Sequence, residues 1–446
     1  MARIVPQDVL DQVIRGAMAA GADAADALFV ENVAASVEYR LGKLEGVERA
    51  ESQDLGLRVF VGQKVAFMSS TDFSKDALAQ LPQRAVAMAK MAPEDKYAGL
   101  APRERLAKSI PNLDIEDKNE PAADTLVDWA RDVEGAAMAV KGVVNSEGGG
   151  ASFGRTAVAL ATSEGFFGSY VGTSCGIGVA VVAGEGTGME RDYDQASARH
   201  ASDLQSPAEV GQNAGERTVK RLNPRKMKSQ AVPIVYDPRV SSSIVGHLAG
   251  AIMGSSIARG VSFLKDQMGK AIFAPGITIM DDPHRMRGLR SKPFDGEGVA
   301  NSKRALVEKG VLRTWLLDCA SARQLGLETT GHAARGTGGP PSPSPTNLYM
   351  ENGTLSVKDL IGDIKQGFYV TEMIGMGVNN VTGDYSRGAA GFWIENGEIA
   401  FPVSEITIAG NLKDMFLHLT PANDLEFKHG TNAPTLRVEG MTVAGA

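Results

Sequence analysis

Six histidines hold most of the metal-ligating potential of this 446-residue chain: His200, His247, His284, His332, His418 and His429. No two lie within five residues of each other, so no pair shares a helix face at ligand spacing. A zinc site needs at least three protein ligands. Only His247 falls in a clear helical pattern, seven residues after Val240. That is about two turns, on the apolar side, where a histidine is usually a hydrogen-bonded core residue. The acidic candidates are Asp281-Asp282-Pro283, which reads as a turn, and Asp295-Gly-Glu297-Gly, two carboxylates in a glycine turn. Asp295 and Glu297 could bind a cation or position a substrate amine, though a solvated turn is the commoner outcome. The densest polar cluster is Thr382 to Gly391, which sets Asp384, Tyr385, Ser386 and Arg387 between glycines. It could orient a peptide, or its members could satisfy one another.

Other chemistries are poorly served. Gly148-Gly-Gly150 and Gly184/Gly186/Gly188 lack the Gly-Lys-Ser/Thr of a phosphate loop, and neither opens a helix. No Gly-x-Ser-x-Gly elbow is present. Cys175 and Cys319 are too few for a disulfide framework or a four-cysteine zinc site, so both are expected to be buried, reduced thiols.

The elements that must position these residues follow from periodicity. Helices are predicted at about 6–21, 73–91, 122–140 and 207–222, and strands at 26–31, 35–40, 55–61, 64–69, 157–162 and 176–183. Ala92 to Pro121 reads as a connector. Asp237-Pro238 is a strong helix start, followed by the apolar ladder Val240, Ile244, Leu248 and Ile252. The small residues between them, Gly246 and Gly250 included, predict close packing against neighbours. The Pro-rich stretch Gly338 to Thr346 must be extended. Phe392 to Ile399 reads as a hairpin turning at Asn396-Gly397. The predicted fold is α+β: an N-terminal mixed domain, residues 1–224, then a strand-rich C-terminal domain, 225–446, carrying the Asp237–Ser256 helix.

The bulk numbers narrow the function class. The net charge of −7 argues against direct nucleic-acid contact. The one basic cluster, Lys220, Arg221, Arg225, Lys226 and Lys228, reads as a solvated helix end. No signal peptide and no apolar run of membrane-spanning length are read, which predicts a cytoplasmic protein.

Four stretches resemble the PmbA (TldE) branch of the TldD/PmbA family. They are His247-Leu-Ala-Gly-Ala-Ile-Met-Gly-Ser-Ser256, Pro293-Phe-Asp-Gly-Glu-Gly-Val299, Pro343-Ser-Pro-Thr-Asn-Leu-Tyr349, and Val381-Thr-Gly-Asp-Tyr-Ser-Arg-Gly-Ala-Ala-Gly-Phe-Trp393 running on to Leu412. The resemblance implies a subunit pairing with a TldD-type chain to form a zinc-dependent peptidase of unfolded and leader peptides. "Modulator of DNA gyrase" is an older label for the family. In the TldD branch a His-Glu-x-x-x-His helix and a later cysteine hold the metal, and the glutamate is the expected base. The matching positions here read His247, Leu248 and Ile252, and the region matching the cysteine, His418 to Asp424, has none. Aliphatic side chains neither ligate a cation nor deprotonate water. The expectation is therefore no catalytic residue and no metal on this chain, with His247 a relict and zinc on the TldD-type partner. Asp384, Tyr385, Arg387, Asp295 and Glu297 are the candidate peptide contacts. A stand-alone peptide-binding or regulatory homodimer is the alternative.

Overall fold

A computed structural model describes residues 6–445. The N-terminal half is one six-stranded antiparallel sheet with four helices. Its order is α1 (Pro6–Ala19), β1 (Ala24–Arg40), β2 (Lys43–Val61), β3 (Lys64–Ser70), α2 (Lys75–Met91), α3 (Ala123–Met138), β4 (Val143–Thr162), β5 (Phe167–Ala183), β6 (Glu190–Ala198) and α4 (Pro207–Lys220). The sheet order is β3-β2-β1-β4-β5-β6. The predicted strands 26–31 and 35–40 are one strand, because β1 stays paired with both β2 and β4 along its length.

Side chains alternate across a strand, so residue parity assigns the faces of β1. Odd residues carry the helices: Ala25, Ala27 and Phe29 pack with α1 and α2, and Ala35, Val37 and Tyr39 with α3. Even residues face the rest of the chain: Asp26 enters a buried ion network, and Leu28 and Val30 pack beside Phe294. The connector is as irregular as predicted, with one short turn of 3₁₀ helix at Arg103–Arg105.

The C-terminal half adds β7 (Gln230–Tyr236), α5 (Pro238–Ala251), β8 (Ile279–Asp281), β9 (Arg304–Glu308), β10 (Val311–Leu312), β11 (Ala333–Ala334), β12 (Ser342–Pro343) and β13 (Leu348–Met350). It ends with β14 (Gln366–Ile374), β15 (Asp384–Glu395), β16 (Glu398–Asn411), β17 (Leu419–Pro421), β18 (Thr431–Asn432) and β19 (Leu436–Ala444). The larger sheet runs β16-β15-β14-β7-β19-β17, and β16 also pairs with β19, so it closes on itself. The smaller sheet runs β10-β9-β8-β13-β18. A single large apolar core joins both sheets to α5. The chain is thus α+β with a strand-rich C-terminal region. Asn396 and Gly397 both take positive φ, as a two-residue hairpin turn between β15 and β16 requires.

The predicted Asp237–Ser256 helix is interrupted. It ends at Ala251 and resumes as a short helix, Gly254–Ala258. The cause is strand-like pairing: Leu316 donates its N–H to Ile252 O and accepts from Gly254 N, which pulls that backbone out of helical register. The expected close packing at Gly246 and Gly250 does not occur. Nothing lies within 4 Å of a Cβ built on either. Close packing of that kind falls instead on α4, where a Cβ at Gly211 would lie 2.3 Å from Val133 O of α3.

Candidate functional site

His247 sits in the last turns of α5, whose start is fixed by Asp237. The Asp237 side chain accepts from Arg239 N and from the Tyr369 hydroxyl, 2.9 Å. The predicted ladder is correct: Ile244, Leu248 and Ile252 are fully buried in the large core. His247 is only half-buried and meets the ring of Tyr385 edge-on, 5.8 Å between centroids. It is not the hydrogen-bonded core histidine expected, since its buried Nε2 has no partner. Burial, and then the charge of Arg387, push the imidazole down to about 4, so it is neutral near pH 7.

The 382–391 cluster mostly satisfies itself. Asp384 accepts from Thr382 Oγ1 at 2.6 Å and Asn411 Nδ2 at 3.0 Å, which holds its carboxyl below the ordinary range. Tyr385 is buried and its hydroxyl contacts Met373 Sδ at 3.1 Å. Arg387 differs: its one bond is Nε to Ile374 O, at 3.5 Å, and most of its donors stay unspent. Ile374, Met376 and Val381 lie exposed around it.

Asp295 and Glu297 are not in a solvated turn. Both are buried, in a network that ties the C-terminal half to the even face of β1 and β2. Arg58 binds Asp26 through Nε at 2.9 Å and Glu297 through Nη1 at 3.3 Å. Arg335 Nη1 takes the other Asp26 oxygen at 2.7 Å. Glu297 Oε2 accepts from Cys319 N, and Asp295 accepts from the backbone N–H groups of Glu297, Val299 and Ala333. Burial and then Glu297 push the Asp295 carboxyl up, to about 7. Glycines at 296 and 298 fit where side chains would not: a Cβ at Gly298 would meet Phe166 at 2.8 Å. No hydrogen bond joins this pair to the Asp384–Arg387 cluster, so the candidates form two separate groups.

Two further features escape sequence reasoning. Asp281 is fully buried at the end of β8, not in a turn. It accepts from Thr346 N at 2.6 Å and from Thr346 Oγ1, and lies 3.1 Å from His332 Nε2. Arg221 is buried rather than solvated, between Glu190, Asp192 and Glu372. These groupings join residues far apart in the chain, and no local spacing announces them. Cys175 and Cys319 are buried and unbridged, as expected, and burial pushes the Cys175 thiol up to about 11.

Among the described residues, no three His, Cys, Asp or Glu side chains come together in a way that could hold a metal ion. His247 Nε2 is a single uncommitted donor, and its chain neighbours at ligand spacing, Leu248 and Ile252, are sealed in hydrocarbon. The residues described do not fit a zinc ion.

Three family models cover most of the chain. They are PmbA/TldA metallopeptidase domain 1 over residues 25–89, the central domain over 110–222 and the C-terminal domain over 229–445. A Metalloprotease PmbA of Escherichia coli O157:H7 is 39% identical over 425 residues, covering 95% of this chain and 92% of that one. A crystal structure from Bacteroides thetaiotaomicron, of a candidate modulator of DNA gyrase, superposes with a TM-score of 0.91 at 26% identity, covering 100% of both chains. TldE from Thermococcus kodakarensis shares the fold, with a TM-score of 0.86 at 21% identity over 98% of this chain and 100% of that one.

Proposed function

The chain belongs to the PmbA/TldA metallopeptidase family, and on that premise we propose that it is the subunit of a TldD/PmbA-type protease complex that holds no metal. Zinc sits on a TldD-type partner, and this chain supplies part of the enclosure and of the surface that binds unfolded or leader peptides. The complex works in the cytoplasm and touches no nucleic acid directly. One observation carries the reading: Leu248, next to His247 on α5, and Ile252, just past the end of that helix, are fully buried core residues. Their places offer neither a ligand nor a base for water.

The contact residues follow from which groups remain free. Asp295 and Glu297 spend their oxygens inside the fold, and Tyr385 belongs to the core. Arg387 keeps donors available for a peptide carbonyl or carboxylate, whereas Asp384, exposed on the opposite face of β15, is held by Thr382 and Asn411. Exposed Ile374, Met376 and Val381 give that group an apolar rim of the kind that marks interaction surfaces.

The test mixes the purified chain with a TldD-type partner and measures both peptide hydrolysis and zinc per chain. Hydrolysis is expected only in the mixture, abolished by chelator, with zinc recovered on the partner. One tightly held zinc per isolated chain, or hydrolysis by the chain alone, would sink the proposal. A chain that forms a stable homodimer and captures no TldD-type partner would instead be a stand-alone peptide-binding or regulatory protein.

A further inference from the structure

The helix-free face of the N-terminal sheet is not completely covered by the C-terminal half. A cleft of about 340 Å³ remains over β4 and β5, and it shares Val158, Tyr170 and Lys292 with a second of about 410 Å³. Its apolar walls include Ile115, Val158 and Tyr170. Its polar lining is cationic: Arg199, Arg290 and Lys292 all border it, and no acidic residue does.

Two of these cations, Arg199 and Lys292, spend their donors on backbone carbonyls rather than on carboxylates. Arg199 donates to three backbone carbonyls, those of Gly288, Thr173 and Leu289, and to no carboxylate. Lys292 Nζ donates to Ala333 O at 3.0 Å. Asp295 and Asp281 offset part of its charge through space, but neither pairs with it directly, and their oxygens are taken by the donors described above. Arg290 is exposed and lies against Gly430, where a Cβ would come 2.4 Å from its Nε. Burial disfavours the charged forms of Arg199 and Lys292. Three positive side chains without ion pairs, on one wall of a chain carrying −7, leave a charge that an anion would complete.

We propose that this cleft binds peptide carboxylate, with Arg290 and Lys292 as the contact groups and Val158 and Tyr170 as the floor against which the peptide lies. The occupant's identity as a peptide rests on the subunit reading above. The charge of the cleft does not. Carboxylate can come from acidic side chains or from a peptide C-terminus, and both present the same pair of oxygens to a lysine or arginine fork.

The experiment uses the isolated full-length chain and a fluorescent peptide carrying Asp, Glu and a free C-terminus, read by anisotropy. Arg290→Gln is expected to weaken binding by about tenfold, the loss of one charge-assisted contact. Lys292→Gln should do the same, and added salt should weaken the parent. Arg290 is exposed, so its variant folds even if the Lys292 variant melts early. Amidating only the C-terminus, or changing only the acids to Asn and Gln, shows which carboxylate is held. Loss of binding in either arm supports the proposal. Equal affinity for the fully amidated peptide, an unchanged constant in Arg290→Gln, or saturation by inorganic phosphate while the peptide stays unbound would overturn it. Because no partner or hydrolysis enters this measurement, its result stands apart from that of the zinc and activity assay.

Discussion

His247 is the residue at which the chemistry of the family and the packing of this chain part company. The imidazole stays neutral because burial and Arg387 hold its pKa near 4, against 6.5 when unfolded. Between those values the unfolded chain takes up a proton that the folded chain refuses. Stability contributed by the neutral form is therefore complete above pH 6.5 and is lost as pH falls toward 4. At pH 5, for a half-buried group, the loss is on the order of 1–2 kcal/mol. His247→Leu should remove that slope. Urea unfolding should find the variant within about 1 kcal/mol of the parent at pH 7.5 and more stable than the parent at pH 5. Other groups titrate here too, Asp295 with the opposite sign, so the difference between variant and parent is the quantity to compare. Equal pH slopes for the two proteins would mean that His247 takes up its proton in the folded state as readily as in the unfolded one, and would refute the effect of its burial.

At the scale of elements, two helices rich in small residues make opposite use of them. On α5, Gly246 is exposed with open space where a side chain would go, whereas Gly211 on α4 lies under the backbone of α3. Gly246→Ala should therefore stabilise the isolated chain by about 0.5–1 kcal/mol, through helix propensity and unfolded-state entropy. Gly211→Ala should cost about 1–3 kcal/mol, because a Cβ 2.3 Å from Val133 O forces the helices apart. Paired thermal melts check both signs, and a stabilising Gly211→Ala would refute the crossing. The same contrast marks what the sequence makes legible. The helix start at Asp237, the Asn396-Gly397 hairpin and the burial of Ile244, Leu248 and Ile252 are local patterns, and all hold. Which helix carries the close crossing is decided by its neighbour, α3, and spacing within α5 or α4 cannot reveal that. The same limit made Asp295 and Glu297 read as a surface turn: burial there comes from β1 and β2, more than two hundred residues upstream.

Across the whole molecule the halves are joined by charge as much as by hydrocarbon. Arg58 and Asp26 from the N-terminal sheet meet Glu297 and Arg335 from the other half, with Asp26 and Arg335 309 residues apart in the chain. All four side chains are at most 5% exposed. A buried ion network adds little net stability over a well-packed apolar one, but removal of a single member leaves charge stranded in a low dielectric. Arg58→Met leaves Glu297 with only the Cys319 N–H and Asp26 with only Arg335. The expected cost is about 3–5 kcal/mol in denaturant unfolding. Arg49 serves as the control, since it pairs with Glu51 and Glu120 on the surface, and Arg49→Met should change stability by less than about 1 kcal/mol. If the break is confined to the junction, the Arg58 variant should also separate into two unfolding transitions, because each half keeps its own core. Indistinguishable losses for the two variants would mean that the network is solvated in solution and that the halves are held by their other contacts, Phe166–Phe294–Tyr170 and Arg221–Glu372 among them.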